Sequence, residues 1–255
     1  MEIVKLLNQN NAILFLLLFS RFSGLMAFFP FFSHVNIPVS VKTALVFYLS
    51  ILFFPLSSLG HINLDMGSLI LAVLSELTLG FIAGAALSIV FAGVALAGEQ
   101  ISMVMGFSMA TVLDPQTGVN SPIVSNFLTL LAVLVLLAFD GHHYMLLFFS
   151  KTIGTLSFGE FYPKDFVYGY FVKAVKDMFI FGFILAFPII ALSLLVDLVF
   201  GMLMKTMPQF NLLVIGYPVK IFFSVFVLTA VLASMMLLFR KEFLEVFRFL
   251  SSLIS

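Results

Sequence analysis

Apolar blocks long enough to cross a bilayer recur along this chain, and nothing else in it is as restrictive. A helix of roughly 20 residues spans the hydrocarbon region. Six stretches reach or approach that length: residues 12–32, 39–59, 69–97, 123–139, 178–200 and 212–239. Arg21 interrupts the first and Pro30 ends it. Pro38 precedes the second as a helix-start residue, and Pro55 stands near its end. The third is long enough to tilt or to project beyond the membrane. Gly216 and Pro218 break the sixth, and Arg240-Lys241-Glu242 follows it, with Glu245 and Arg248. Of the 255 residues 62% are apolar and 9% charged, against about 25% charged in a soluble domain. So few polar side chains cannot cover a water-facing surface. The fold expected is all-α: one polytopic helical body over 1–255, with six long helices and both ends on one side. The threading of residues 144–170 leaves five or seven crossings as alternatives. Charge placement leans toward both termini inside.

Other classes fall away for stated reasons. Lys plus Arg equals Asp plus Glu, 12 each, so the basic footprint of a nucleic-acid binder is missing. There is no Cys, which excludes disulfides and thiolate chemistry. With no Trp, any aromatic belt must come from the 6 Tyr and some of the 34 Phe. Met1-Glu2-Ile3-Val4-Lys5 carries both an acid and a base, and no small-x-small cleavage site follows, so the first block reads as a retained helix. No nucleophile elbow, phosphate-binding glycine loop or paired catalytic acids appear, so neither an enzyme nor a cofactor is expected. His142 and His143 lack metal-ligand spacing. Adjacent side chains tend to point apart, and these read as interfacial polar residues.

Charges inside apolar blocks are the candidate functional residues. Arg21 must face protein or a polar cavity, with Glu76, Asp177 and Asp197 as candidate partners. It is either a lining or gating ion pair, or a static assembly contact or snorkelling arginine. The three acids are either proton relays or locally paired. Lys173 lies four residues before Asp177, and Lys220 could pair with Asp197. In the third block Gly80, Gly84, Ser88 and Ala92 fall four apart, a small-residue stripe that lets another backbone approach.

The stretch from Gly98 to Pro122 is too polar for a plain span, and Glu99 to Ala110 is too apolar for a free loop. Non-helical backbone at membrane depth needs protein or a water-filled cavity around it. Met103, Met105 and Met109 offer unbranched side chains that can seal an irregular constriction. A plug and an interfacial helix both fit. Asp114-Pro115-Gln116-Thr117-Gly118 reads as a turn.

Four stretches, in order, resemble the FliR/SctT family of type III secretion export-gate proteins. They are Arg21-Phe22-Ser23-Gly24 with Pro30 and Pro38; Gly98-Glu99-Gln100 through Gly106-Phe107-Ser108 to Asp114-Pro115; Phe139-Asp140-Gly141-His142; and Pro208-Gln209-Phe210-Asn211 leading to Gly216-Tyr217-Pro218-Val219-Lys220. The flagellar branch is the closer match. Asp140 departs from the pattern, where many members carry an uncharged residue. The resemblance implies a subunit at the centre of the flagellar basal body in the bacterial inner membrane. Residues 1–166 would resemble a FliP-type subunit and 167–255 a FliQ-type hairpin. Its implied partners are FliP-like and FliQ-like membrane subunits, an FlhB-like gate protein, lipid and, transiently, unfolded export substrates. The family's plug would fall on about Gly106 to Pro122, making Met105, Gly106, Phe107, Met109, Asp114 and Pro115 constriction or rim candidates, and its first-helix arginine on Arg21. Energy would come from a soluble ATPase and a proton-using gate protein. The rival class is a small proton- or ion-coupled secondary transporter, with titrating carboxylates and broken helices near Gly98 and Pro218.

Overall fold

The computed structural model describes residues 9–29, 37–57, 65–107, 122–207 and 215–254. Among them are seven α-helices and no strand: α1 Gln9–Phe28, α2 Val39–Phe53, α3 Met66–Met105, α4 Ile123–Ala138, α5 Gly141–Thr155, α6 Asp165–Thr206 and α7 Tyr217–Ser252. An apolar chain in an apolar medium must satisfy its backbone internally, and the helix does so within one segment. Pro38 stands at the N-cap of α2, where its missing N–H costs nothing and its carbonyl accepts from Val41 and Lys42. Pro55 tightens the end of α2 into a 3-10 turn over Phe54–Leu56. Pro188 lies inside α6, which continues through it.

Three helices outrun the apolar blocks that announce them. The third block becomes a 40-residue helix that takes in Glu99, Gln100 and Met103. The polar stretch after Gly98 is therefore helical to Met105. There α3 closes with Gly106 in a left-handed conformation (φ 89°). The Gly106 N–H donates to Met103 O and the Phe107 N–H to Ser102 O, the two bonds of a Schellman ending. The fifth block becomes 42 residues, and α7 carries the charged tail as helix, 36 residues in all. At 1.5 Å per residue these three helices are about 60, 63 and 54 Å long, near twice the ~30 Å hydrocarbon thickness. Among the described residues five helices are long and apolar enough to cross a membrane, or six if the bent pair α4–α5 counts as one span. Within that pair the break falls at Asp140, whose φ of 58° is left-handed.

The chain forms two compact units. One is Met1–Ile89, Phe139–Ala174 and Phe243–Ser255; the other is Val90–Ala138 and Val175–Glu242. Each draws on segments from both sides of residue 166. In the first, α1 crosses α3 with backbones in contact. A Cβ on Gly80 would run into Arg21 O, one on Gly24 into Leu77 O, and one on Gly84 would come within 2.8 Å of Leu25 O. Leu17, Leu18 and Phe22 of α1 and Leu79, Ala83 and Leu87 of α3 are fully buried. The Phe22 ring lies 5.4 Å from Phe53 and 5.0 Å from Phe149, bringing α2 and α5 to the same core. In the second unit, a Cβ on Gly98 would collide with Ser125, whose hydroxyl donates to Ala95 O at 2.9 Å, so α3 and α4 also touch through small residues. Phe91 and Phe239 meet edge-on at 5.1 Å.

The small-residue stripe does not run its expected length. Gly80 and Gly84 are buried, Ser88 is half-buried with its hydroxyl bonded back to Gly84 O, and Ala92 is exposed. Residues four apart gain about 40° per step on a helix of 3.6 residues per turn, so Ala92 lies roughly 120° around from Gly80.

Gly80→Ala is expected to cost at least 1–3 kcal/mol by roughly the usual overpacking scale, because backbone is what the new Cβ meets. Gly169→Ala, where nothing lies within 4 Å, should be neutral or raise stability by up to about 1 kcal/mol. Thermal midpoints in mild detergent compare the two. Equal midpoints would refute a backbone-to-backbone crossing at Gly80.

Candidate functional site

In the first unit one carboxylate gathers four parts of the chain. Arg21 of α1 and Glu76 of α3 are both completely buried. Arg21 Nε donates to Glu76 Oε2 at 2.5 Å. The Gly159 N–H, in the turn after α5, donates to the other oxygen, Oε1, at 2.8 Å. Arg21 Nη1 donates to Thr152 Oγ1 of α5 at 3.3 Å, and that hydroxyl donates on to Phe149 O. The guanidinium carbon sits 4.7 Å from the centre of the Phe158 ring, a cation–π contact. Nearby, Ser75 donates to Phe161 O at 2.8 Å, a second tie between α3 and the same turn. Gly159 holds φ 81° with Ala72 against it, so a side chain there would be strained and crowded. Arg21 Nη2 is buried with no protein partner among the described residues.

Of the three acids considered for Arg21, the structure selects Glu76. Asp197 of α6 takes Lys220 of α7 instead, Nζ lying 2.8 and 2.7 Å from its two oxygens. One turn away Ser193 and Ser224 face each other at 3.5 Å, both buried. Contacts 193 to 224 and 197 to 220 make α6 and α7 an antiparallel pair joined by a short polar ladder. Val104 O at the end of α3 accepts from Ser193 at 3.4 Å. A Cβ on Gly106 would lie 2.7 Å from the Tyr217 ring, so the end of α3 rests on the start of α7. Asp197 is about half exposed, unlike Glu76.

The remaining candidates are placed as follows. Asp177 is half-buried and forms no ion pair among the described residues, so the local Lys173 pairing is not made. Lys173 is exposed, and a base N-terminal to its acid is the weaker order of an i,i+4 pair. Met103 is exposed, Met105 fully buried and Phe107 half-buried. Met109, Asp114, Pro115, Pro208, Gln209 and Asn211 lie outside the described residues. His142 and His143 do not point apart. Their rings are 4.1 Å apart, tilted by 38°. Left-handed Asp140 turns its carboxylate back onto His143 Nδ1 at 3.2 Å, and both of these side chains are mostly exposed.

Sequence reasoning missed Thr152, Phe158 and Gly159 around the ion pair, and Ser193 and Ser224 in the second unit. Only Gly159 gave a signal, as a turn glycine. Polar side chains on apolar helices give none until the partner helix is known.

An all-helical membrane protein with a buried charge clamp at its first helix is the class these features define. Residues 12–246 match the family described as bacterial export proteins, family 1. The chain belongs to that family. It is 32% identical over 233 residues to the flagellar biosynthetic protein FliR of Bacillus subtilis strain 168, covering 90% of each chain. It is 27% identical over 235 residues to the FliR of Escherichia coli K12, covering 92% of this chain and 90% of that one. With the FliR of Aquifex aeolicus it shares 25% over 248 residues, 96% and 95% of the two.

Removing one member of the buried pair strands the other. Arg21→Met and Glu76→Met are each expected to lose about 3–5 kcal/mol, while the double change to Met costs clearly less than the two summed. Thermal midpoints in detergent for a double-mutant cycle read this. Additive losses would mean that the two charges do not depend on each other.

Proposed function

We propose that this chain is a structural and gating subunit of the flagellar/type III protein export channel, helping to form the inner-membrane conduit for unfolded substrates. Membership of the export family carries the assignment to an export apparatus. The carrying structural observation is how far the uncovered apolar surface extends. On α6 large exposed apolar side chains recur from Phe166 to Met204, a rise of roughly 57 Å. Hydrocarbon about 30 Å thick covers only half of that. The rest needs protein against it, as a subunit held inside a helical assembly would have. FliP-like and FliQ-like membrane subunits and an FlhB-like gate protein are the partners proposed. Residues 167–255 would supply a FliQ-like hairpin, consistent with the antiparallel ladder of α6 and α7. Residues 1–166 would supply the FliP-like part. A small ion-coupled transporter has no comparable support, since the family is described as export proteins and the relatives as flagellar biosynthetic proteins.

The proposed constriction begins where α3 ends. The Schellman ending and the Tyr217 contact give the segment after Gly106 a fixed root. Met105 packs inside that root, and Met103 and Phe107 stand at its edge. Methionine and phenylalanine would exclude water and ions when closed. When open they would bind a passing chain weakly and without sequence preference, because methionine repacks around many shapes. Passage needs contacts loose enough to release. In this reading the ion pair of Arg21 serves assembly, not passage.

Mild-detergent purification with intact-complex mass spectrometry should give a particle holding this chain together with two kinds of smaller membrane protein. A stable monomer or homodimer would defeat the assignment. In the assembled complex, Ala or Gly at Met105, Phe107 and Met109 is expected to raise ion conductance through the closed channel, with Met105 also lowering stability by about 2–5 kcal/mol. Unchanged conductance in planar bilayers would remove these residues from the constriction.

A further inference from the structure

The first unit contains a groove of about 680 Å³ between α5 and the end of α7 that the export role leaves unused. On α5 it is lined by Tyr144, Leu147, Phe148 and Lys151, spaced i, i+3, i+4, i+7 along one face. On α7 the same spacing returns in Leu244, Phe247, Arg248 and Ser251. Aromatic rings form its seam. Phe139 meets Phe243 at 5.4 Å, and Tyr144 meets Phe247 at 5.5 Å. Positions rise together along both segments, so the helices run the same way, and Lys151 stands roughly 9 Å along the axis beyond the level of Arg248. The lining thus offers apolar side chains with two cations and, among the described residues, no carboxylate. Neither Lys151 nor Arg248 is ion-paired among the described residues, and both are exposed.

We propose that this groove binds an anionic phospholipid, with its phosphate held by Lys151 and Arg248 and an acyl chain lying along Leu147, Phe148 and Leu244. Charge complementarity selects the headgroup: two unpaired cations beside an apolar trough attract a phosphate monoanion and gain nothing from a zwitterion's nearby ammonium. Size argues against a partner helix. A helix 10–12 Å across fills roughly 420–610 Å³ per turn, so the groove would seat little more than one turn. The same volume falls within the roughly 300–1,000 Å³ of clefts that bury a drug-sized ligand, room for part of a lipid and not for a folded partner. Lys and Arg at the rim of an apolar surface reach the headgroup layer while their stems stay in hydrocarbon. The binding needs only a membrane around the chain and is independent of the export role.

The test uses the full chain in its detergent-purified, delipidated assembly, titrated with phosphatidylglycerol and separately with phosphatidylcholine, each bound state counted by native mass spectrometry. Phosphatidylglycerol should bind in preference. Lys151→Gln with Arg248→Gln should weaken it roughly thirty-fold, at about a factor of five for each base lost near a headgroup. Lys151→Arg with Arg248→Lys should stay within about threefold of the parent. Lys173→Gln with Lys176→Gln, which removes two exposed bases elsewhere, should do the same. Equal affinity for the two lipids, or equal loss in the 173/176 pair, would overturn the site. Displacement by inorganic phosphate as effective as by lipid would reassign it to free phosphate. A photo-crosslinker at Leu147 that captures another protein subunit in place of lipid would reassign it to a partner helix.

Discussion

Arg21 and Glu76 set a condition that the rest of the first unit has to meet. A charge with no exposed surface is costly unless it is paired and hydrogen-bonded. Here one carboxylate oxygen takes a guanidinium and the other a backbone N–H 83 residues away. Satisfying both requires α1, α3 and the turn after α5 to be in register at once. Thr152 and Phe158 then complete the surroundings of the guanidinium. An apolar pair of similar size would pack as well, but it would accept many registers. The ion pair accepts one, so its contribution is to selection among arrangements more than to net stability.

That register is reachable only because the helices carrying the charges can come close. Between apolar helices in lipid there is no hydrophobic gain on association, so contact area and small residues decide. Gly24 and Gly80 let α1 and α3 touch backbone to backbone within one turn of Arg21 and Glu76. The second unit is built on a softer version of the same rule. Gly98 against Ser125 brings α3 to α4, and the serine pair with Asp197–Lys220 aligns α6 with α7. Its acid is half exposed, so it needs less support than Glu76.

Much of this was legible before any coordinates. Arg21 stood out because a base ten residues into an apolar run must be met by something. Lys220 was a candidate partner for Asp197 as a base and an acid in neighbouring blocks, and the two do pair. Choosing Glu76 over Asp177 for Arg21 was beyond the sequence, because the choice depends on which helices cross. The end of α3 was misplaced for another reason. Hydropathy reports where a helix stays apolar, while the helix itself continues through Glu99 and Gln100 until Gly106 supplies a left-handed residue. The stripe to Ala92 failed because a spacing of four drifts on a helix of 3.6. Gly159 could be read as a turn, but not as the donor to a carboxylate on another helix.

The two ends of α3 follow opposite physical logic. Near its start Glu76 is locked by charge, with both carboxylate oxygens hydrogen-bonded. At its finish the helix presents Met103 outward and stops on a glycine that tolerates φ 89°. A charge clamp penalises any displacement steeply, since a few ångströms strand an ion in apolar surroundings. Methionine and phenylalanine contacts penalise displacement weakly, because dispersion contacts can be exchanged for others of like kind. A single 40-residue helix therefore carries a directional charge clamp near one end and non-directional apolar contacts at the other. In the proposed conduit, that arrangement would put stiffness at the assembly contact and compliance at the constriction.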